Sequence, residues 1–215
     1  MTNAFENMDR MYRFQRYFYD LTRKYYLLGR DRLLNELDIR KDECVVEVGC
    51  GTGRNLIILA RQNPEAHFYG LDASAAMLET AKAKIAAAGL PNVTLKTALA
   101  DDFSFDKTFG LTVTFDKIFF SYSISMIPAW RKSLENALKN LKSGGELFIV
   151  DFYDMKYLPA WFQKLLQAWL KRFHVEHPQK LIPLLRNLEA QGIGKLEIIT
   201  LYRRYSFIAA FRKNN

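Results

Sequence analysis

Val45-Val46-Glu47-Val48-Gly49-Cys50-Gly51-Thr52-Gly53 is the run that decides the fold of this chain. Four residues of strand type lead into three alternating glycines, and an apolar helical pattern follows at Asn55-Leu56-Ile57-Ile58-Leu59-Ala60. Glycine allows positive φ and a close backbone approach to a ligand, and a helix N-terminus offers free N–H groups. The run therefore reads as strand, tight turn and helix start, a site for a nucleoside-like molecule. A dinucleotide site would read G-x-G-x-x-G/A. Here the third glycine comes one residue early, at Gly53, and Arg54 stands where Gly or Ala is required. No Lys-Ser/Thr pair follows, which excludes a phosphate-cradling P-loop.

Downstream, His67-Phe68-Tyr69-Gly70-Leu71-Asp72 reads as a second buried strand ending in an acid. Such an acid can accept both ribose hydroxyls of a nucleoside. A helix then starts near Ala75 and stops at Gly89. The E-x-G-x-G-x-G run resembles the first motif of class I S-adenosylmethionine (SAM) methyltransferases, and Gly70-Leu71-Asp72-Ala73-Ser74 with Met77-Leu78 resembles their second. The resemblance implies that SAM is the cofactor and S-adenosylhomocysteine the product. It places Glu47 near the SAM ammonium, with Gly49, Cys50, Gly51 and Gly53 under the amino-acid end. Asp72 falls on the ribose, and Ala73 and Met77 lie beside it.

Half of the 215 residues are apolar, yet no run is long enough to span a bilayer. Length suits one domain, residues 1–215, and no secretory signal is expected. The two cysteines, Cys44 and Cys50, form neither a disulfide framework nor a zinc set, so no metal is expected and a reducing cytoplasm fits. The formal net charge is +8, which points to an anionic partner such as a membrane, a nucleic acid or an acidic substrate.

Alternating patterns predict strands at 44–48, 67–71, 93–96, 115–120, 145–150, 196–201 and 205–211. Helices are predicted at 55–62, 75–87, 127–141 and 178–190, after two N-terminal helices. Alternation implies an α/β fold with a parallel sheet covered on both faces. The last two strands are joined at Tyr202-Arg203-Arg204, too tight for a crossover, and must form an antiparallel hairpin. A seven-stranded, mostly parallel sheet closed by that hairpin is the Rossmann-like arrangement of class I methyltransferases. Residues 1–40 would cap it, and 152–178 would form an acceptor- or membrane-facing insertion. Ligands bind beyond the carboxyl ends of such strands, near the switch in strand order.

Two loops there carry further candidates. Relatives place an adenine-reading acid after the third strand, but by register that position is Leu99. Asp101 or Asp102 must substitute, or backbone around Ala100 reads the base. After the fourth strand, Ser121-Tyr122-Ser123-Ile124-Ser125-Met126-Ile127-Pro128 is rich in hydroxyls and lacks the Asn-Pro-Pro-Tyr that marks nucleobase or amide-nitrogen methylation in the superfamily this chain resembles, so the resemblance argues mildly against DNA as substrate. Ser121 is expected beside SAM, and Tyr122 to orient an acceptor or shield the sulfonium.

The block Tyr19-Asp20-Leu21-Thr22-Arg23-Lys24-Tyr25-Tyr26-Leu27-Leu28-Gly29-Arg30-Asp31-Arg32 interleaves aromatics with basic residues at helical spacing. That pattern suits an anionic membrane surface, a lid on the SAM pocket or an amphipathic core helix. Together with Met8-Asp9-Arg10-Met11-Tyr12 and the 121–128 loop, it resembles diacylglyceryl-homoserine N-methyltransferases, which complete betaine-lipid synthesis. The resemblance implies a lipid headgroup as acceptor, methylated three times at the cytoplasmic face of a membrane, and association with the enzyme that makes diacylglyceryl-homoserine. It makes Tyr25 and Arg30 candidates for closing over SAM, Arg30 by pairing its carboxylate, with Arg23 or Arg32 as alternatives.

A headgroup gaining methyl groups and charge suits aromatic walls through cation–π attraction. Tyr19, Tyr122 and Tyr153 are the catalytic candidates of this kind, and Asp151 could orient the ammonium or relay its proton. His174 and His177 are possible bases, and Lys180, Arg203 or Arg204 possible partners of a headgroup carboxylate. The 160–173 segment, with Trp161, Leu165 and Trp169 near one face, is expected to meet acyl chains or a membrane. Phosphatidylethanolamine or quinone-precursor methylation are the nearest rivals. Nucleic acid is a weaker one, because basic and aromatic residues concentrate in two helical segments.

Overall fold

The computed structural model describes residues 26–172 and 180–215. In chain order these form α1 (Arg30–Glu36), β1 (Cys44–Val48), α2 (Arg54–Gln62), β2 (His67–Asp72), α3 (Ala75–Ala87), β3 (Val93–Thr97) and β4 (Phe115–Ser121). A 3-10 turn (Ile124–Met126), α4 (Trp130–Asn140), β5 (Leu141–Phe152), α5 (Ala160–Arg172), α6 (Leu181–Ala190), β6 (Gly194–Leu201) and β7 (Ser206–Lys213) follow.

All seven strands join one sheet in the order β3-β2-β1-β4-β5-β7-β6. The first five are mutually parallel, and β7 pairs antiparallel with both β5 and β6. Strand order reverses between β1 and β4, so the crevice expected to bind ligand opens beside the Gly49–Gly53 turn.

Period-two alternation splits the core into two faces. Val45, Phe68, Phe119, Phe148 and Val150 pack with Leu33 of α1, Leu56 and Leu59 of α2 and Leu166 of α5. Val46, Leu71, Phe120, Ile149 and Phe207 pack on the other side with Leu134 of α4 and Leu181 and Leu185 of α6. Leu56 and Leu59 are buried completely or nearly so, which stabilises by roughly 1.5–3 kcal/mol each.

The predicted boundaries shift for identifiable reasons. The helix expected from 127 begins only at Trp130, because Pro128 lacks an amide hydrogen and the preceding residues close a 3-10 turn. Strand β5 begins at Leu141 rather than 145. Its register slips between Phe115 opposite Leu141 and Lys117 opposite Glu146, and Gly144 takes φ 74° in the bulge. The helix expected over 178–190 runs Leu181–Ala190 within the described residues. The hairpin turn stands as expected, with Tyr202, Arg203 and Arg204 all left-handed at φ 49°, 55° and 63°. No helix among the described residues is long and apolar enough to cross a membrane.

Candidate active site

The glycine turn lies between two strand ends. Gly49 and Cys50 both donate their N–H to the Leu71 carbonyl, at 2.8 and 3.0 Å, so the turn after β1 hangs from the end of β2. Gly49, Gly51 and Gly53 all have positive φ. A Cβ on Gly49 would sit 2.6 Å from the Cβ of Ser123, and the Ser123 hydroxyl donates to the Val48 carbonyl at 2.6 Å. The turn is thus wedged against the loop after β4, across the switch point.

Two buried carboxylates end on the same face of the sheet, Glu47 on β1 and Asp72 on β2. Asp72 accepts the Gly51 N–H at 2.8 Å and the Ser74 N–H at 2.9 Å. A carboxylate has about four acceptor sites, enough to hold two amides and a ribose diol together. Glu47 accepts from the Asn55 side-chain amide at 2.7 Å, which ties β1 to the first turn of α2. Cys50 turns its thiol into the core against Gly70, and burial, with Asp72 and Glu47 adding negative charge, pushes the thiol well above its usual range. Its share in the site is therefore backbone. Ser74 caps α3 by accepting the Met77 N–H, and the Met77 side chain is buried.

The loop after β3 is held from α4. The Asn136 amide donates to the carbonyls of Ala100 and Phe103, at 3.3 and 2.8 Å, and Asn140 adds a bond to Phe103. Asp101 is half-buried and Asp102 exposed in the turn, while Ser121 at the end of β4 has a buried hydroxyl with no hydrogen-bond partner among the described residues.

On the β5 side, Tyr122 departs from the expectation of a side chain facing the acceptor. Its backbone is left-handed at φ 54°, its ring packs edge-on against Phe152, and its hydroxyl donates to the Leu28 carbonyl. Burial pushes that phenol well above its ordinary value. Ser206 donates to the same Leu28 carbonyl at 3.0 Å, and Tyr205 donates to the Tyr26 carbonyl at 2.8 Å. Three hydroxyls thus clamp residues 26–28 across the carboxyl end of β5 and the amino end of β7. Gly29 then makes the turn into α1 at φ 92°, where a Cβ would lie 2.7 Å from a Leu201 methyl. Arg30 is buried at the head of α1, and Asp31 pairs with Arg54 just beyond the glycine turn at 2.8 Å. Arg32 instead pairs with Glu36 at the surface.

Asp151 is fully buried on the opposite face of the sheet. It accepts the N–H of Ser125 at 3.1 Å and of Phe152 at 2.7 Å. Burial raises its carboxyl to about 6 against those bonds. Arg204 is not available to a headgroup carboxylate: it holds Asp154 through two nitrogens and lies 4.2 Å over the Tyr153 ring. Arg203 and Lys180 are exposed. Tyr19, Tyr25, Arg23, His174 and His177 lie outside the described residues.

Sequence reasoning missed Asn55, Ser123, Asn136 and the Tyr205-Ser206 pair. Asn55 carried a signal, a short amide on the buried side of an apolar helix. The others reveal themselves only through contacts distant in sequence.

A family model described as "Methyltransferase domain" matches residues 39–193. The chain belongs to that methyltransferase family. Demethylmenaquinone methyltransferases of Listeria monocytogenes and Listeria welshimeri are 28% identical to this methyltransferase over 141 residues, 65% of it and 57% of their own length. A trans-aconitate 2-methyltransferase of Deinococcus radiodurans is 32% identical over 105 residues, 49% of this chain and 36% of that protein. The chain thus spans little more than half the length of the first of these relatives.

Among solved structures, the Haloferax volcanii complex of the Trm112 methyltransferase activator with its methyltransferase aligns with TM-score 0.73 at 14% identity, over 96% of this chain and 97% of that one. A SAM-dependent methyltransferase from Aquifex aeolicus aligns with TM-score 0.62 at 18% identity, over 88% and 92%. These establish the fold.

The class I fold implies SAM as methyl donor, and the residues present fit it: a glycine cradle with no room for a Cβ at Gly49, two buried carboxylates on adjacent strand ends, and the buried Ser121 hydroxyl. The family match covers Glu47 to Asp151 but neither the clamped 26–28 segment nor the β6–β7 hairpin that holds it.

Proposed function

We propose that this methyltransferase transfers methyl groups from SAM to the amine of the diacylglyceryl-homoserine headgroup. Three successive transfers would leave the trimethylated betaine lipid and S-adenosylhomocysteine. The observation that carries this reading is the bond from Tyr122 to Leu28. It joins the two segments whose residues resemble betaine-lipid N-methyltransferases, at the edge of the sheet where an acceptor would enter.

SAM, when bound, supplies an electrophilic methyl group, and the chain supplies alignment and electrostatics. Glu47 and Asp72 would hold the ammonium and the ribose, with Gly51 and Gly53 giving close backbone approach. Arg30, buried at the head of α1, is the candidate partner of the SAM carboxylate. Ser121, Ala100, Asp101 and Asp102 line the remaining rim, and Tyr25 is the candidate closing residue.

Each attack requires a neutral amine, so a proton must leave before each of the three transfers. Asp151, its carboxyl raised to about 6, is the candidate to orient the ammonium or relay its proton. Tyr153 already carries one guanidinium on its ring, and with Tyr19 it would face the growing cation. A lipid acceptor places the working enzyme at an anionic, cytoplasmic membrane face, beside the enzyme that supplies diacylglyceryl-homoserine.

The Listeria relatives favour a second reading, methylation of a quinone precursor. Radiolabelled SAM offered with diacylglyceryl-homoserine, phosphatidylethanolamine or demethylmenaquinol separates the two. Label in a trimethylated headgroup is expected, and label confined to the quinol would overturn the betaine-lipid reading.

A further inference from the structure

The β5–β7–β6 end of the molecule exposes an unusual set of side chains. Tyr157, Trp161, Leu165 and Tyr202 are each more than half exposed, at 61%, 69%, 63% and 55%. Trp161 and Leu165 are one turn apart on α5, while Leu166 on the inner side of the same helix packs into the core. Lys164 lies exposed between them, Lys156 precedes them, and Arg203 follows Tyr202 in the hairpin turn. Arg204 joins the two parts, with its guanidinium over Tyr153 and 5.8 Å from the Tyr157 ring. Asp154, the acid of this region, is bound by Arg204.

The hairpin turn lies at the carboxyl-terminal edge of the sheet, because Phe152 and Leu201 both pair with Ser206. The set therefore borders the same edge as the glycine turn and the clamped segment.

We infer that Tyr157, Trp161, Leu165 and Tyr202, flanked by Lys156, Lys164 and Arg203, form a docking face for an anionic lipid bilayer. Tyrosine and tryptophan suit the headgroup level, where one end of the ring is dry and the other wet. A leucine reaches the acyl boundary, and lysine and arginine meet lipid phosphates. Exposed cations beside an acid already bound by Arg204 give the face a positive sign, which selects an anionic bilayer. The purpose of the face rests on the lipid-acceptor reading: it would bring the mouth of the site against the layer that holds the headgroups. The binding itself does not depend on that reading.

Sedimentation of the full chain with vesicles tests the inference. Vesicles of phosphatidylcholine alone are compared with vesicles containing about one third phosphatidylglycerol. Binding to the anionic vesicles is expected, weakening with salt. The Trp161→Ser/Leu165→Ser and Lys156→Glu/Lys164→Glu variants should each lose about tenfold or more in partitioning. These side chains are exposed, so thermal midpoints should be unchanged, as should methyl transfer to detergent-dispersed acceptor. Undiminished vesicle binding by both variants, or no binding by the parent chain, overturns the proposal. So does a concentration-dependent dimer that Trp161→Ser dissolves, which would assign the face to a second copy. Vesicle binding by the parent chain that both variants lose, together with methyl transfer only to a quinol, would overturn the acceptor reading and leave the docking face standing.

Discussion

The Tyr122 hydroxyl donates to the carbonyl of Leu28, a residue 94 positions earlier, and so fastens the entry of α1 to the loop after β4. Ser206, at the start of β7, shares that carbonyl. The position of buried Arg30 follows from these two bonds, since Gly29 turns the chain directly from Leu28 into α1.

Removing the Tyr122 hydroxyl should cost about 1 kcal/mol, because Ser206 still satisfies the carbonyl. Tyr122→Phe combined with Ser206→Ala should cost more than the two single changes together, since the double variant strands a partly buried acceptor. Urea unfolding measures both. If Arg30 binds the SAM carboxylate, the double variant should also bind SAM several-fold more weakly by calorimetry, and unchanged affinity would detach the clamp from the cofactor site.

Glu47 and Asn55 separate charge from packing. Glu47→Gln keeps an oxygen for the Asn55 amide at 2.7 Å but removes the negative charge. It should weaken SAM binding by about tenfold or more with little change in stability. Asn55→Ala leaves a buried carboxylate short of a donor and should destabilise the fold by about 1–3 kcal/mol. Equal effects of the two changes on stability would count against a ligand-facing role for Glu47.

Asp72→Asn is expected to reduce SAM affinity more than Glu47→Gln does. Its new amide would point at the N–H of either Gly51 or Ser74, both of which now donate to the carboxylate. The turn would lose a bond and the ribose an acceptor. Equilibrium binding of SAM and of adenosine alone checks this, since adenosine affinity should fall in parallel. Loss of SAM binding with adenosine unaffected would place Asp72 away from the ribose.

Asp151 predicts a pH dependence of stability. An ordinary Asp carboxyl titrates near 4, and this one is raised to about 6 by burial. Between those values the folded chain keeps a proton that the unfolded chain has released. The contribution is therefore complete below about pH 4 and is lost as the pH rises through about 6, a change on the order of 3 kcal/mol. Unfolding of the parent chain and of Asp151→Asn, compared from about pH 4 to pH 7, should show that slope only in the parent. Parallel curves would mean an unshifted carboxyl.

What the sequence made legible follows from locality. Gly49, Gly51 and Gly53 with Asp72 form short-range patterns, because each glycine answers a backbone requirement within its own turn. The hairpin at Tyr202 to Arg204 was legible because three residues cannot cross over a sheet. The bulge in β5 was not, since it arises from pairing with β4 and the close approach of Gly145 to the Asp116 carbonyl. Leu99, where an acid was expected, is answered by Asn136 and Asn140 gripping the loop from a helix more than thirty residues on. The same holds for Lys117, whose burial between Glu43 and Glu146 at 3.3 and 2.9 Å rests on two further elements. Tyr122 read as a ligand-facing aromatic because sequence shows a residue type but not the direction of a left-handed backbone.

The clamp on residues 26–28 also sets an order of events during synthesis. Tyr26 and Leu28 are made 179 and 178 residues before Tyr205 and Ser206, the partners that hold them. Two of the three ties therefore cannot form until the ribosome has passed the end of β6. Until then the nascent sheet carries its glycine turn and both carboxylates without the finished seat for Arg30. The seat of Arg30 is therefore finished only after Tyr205 and Ser206 have been made, however early the strands before them assemble.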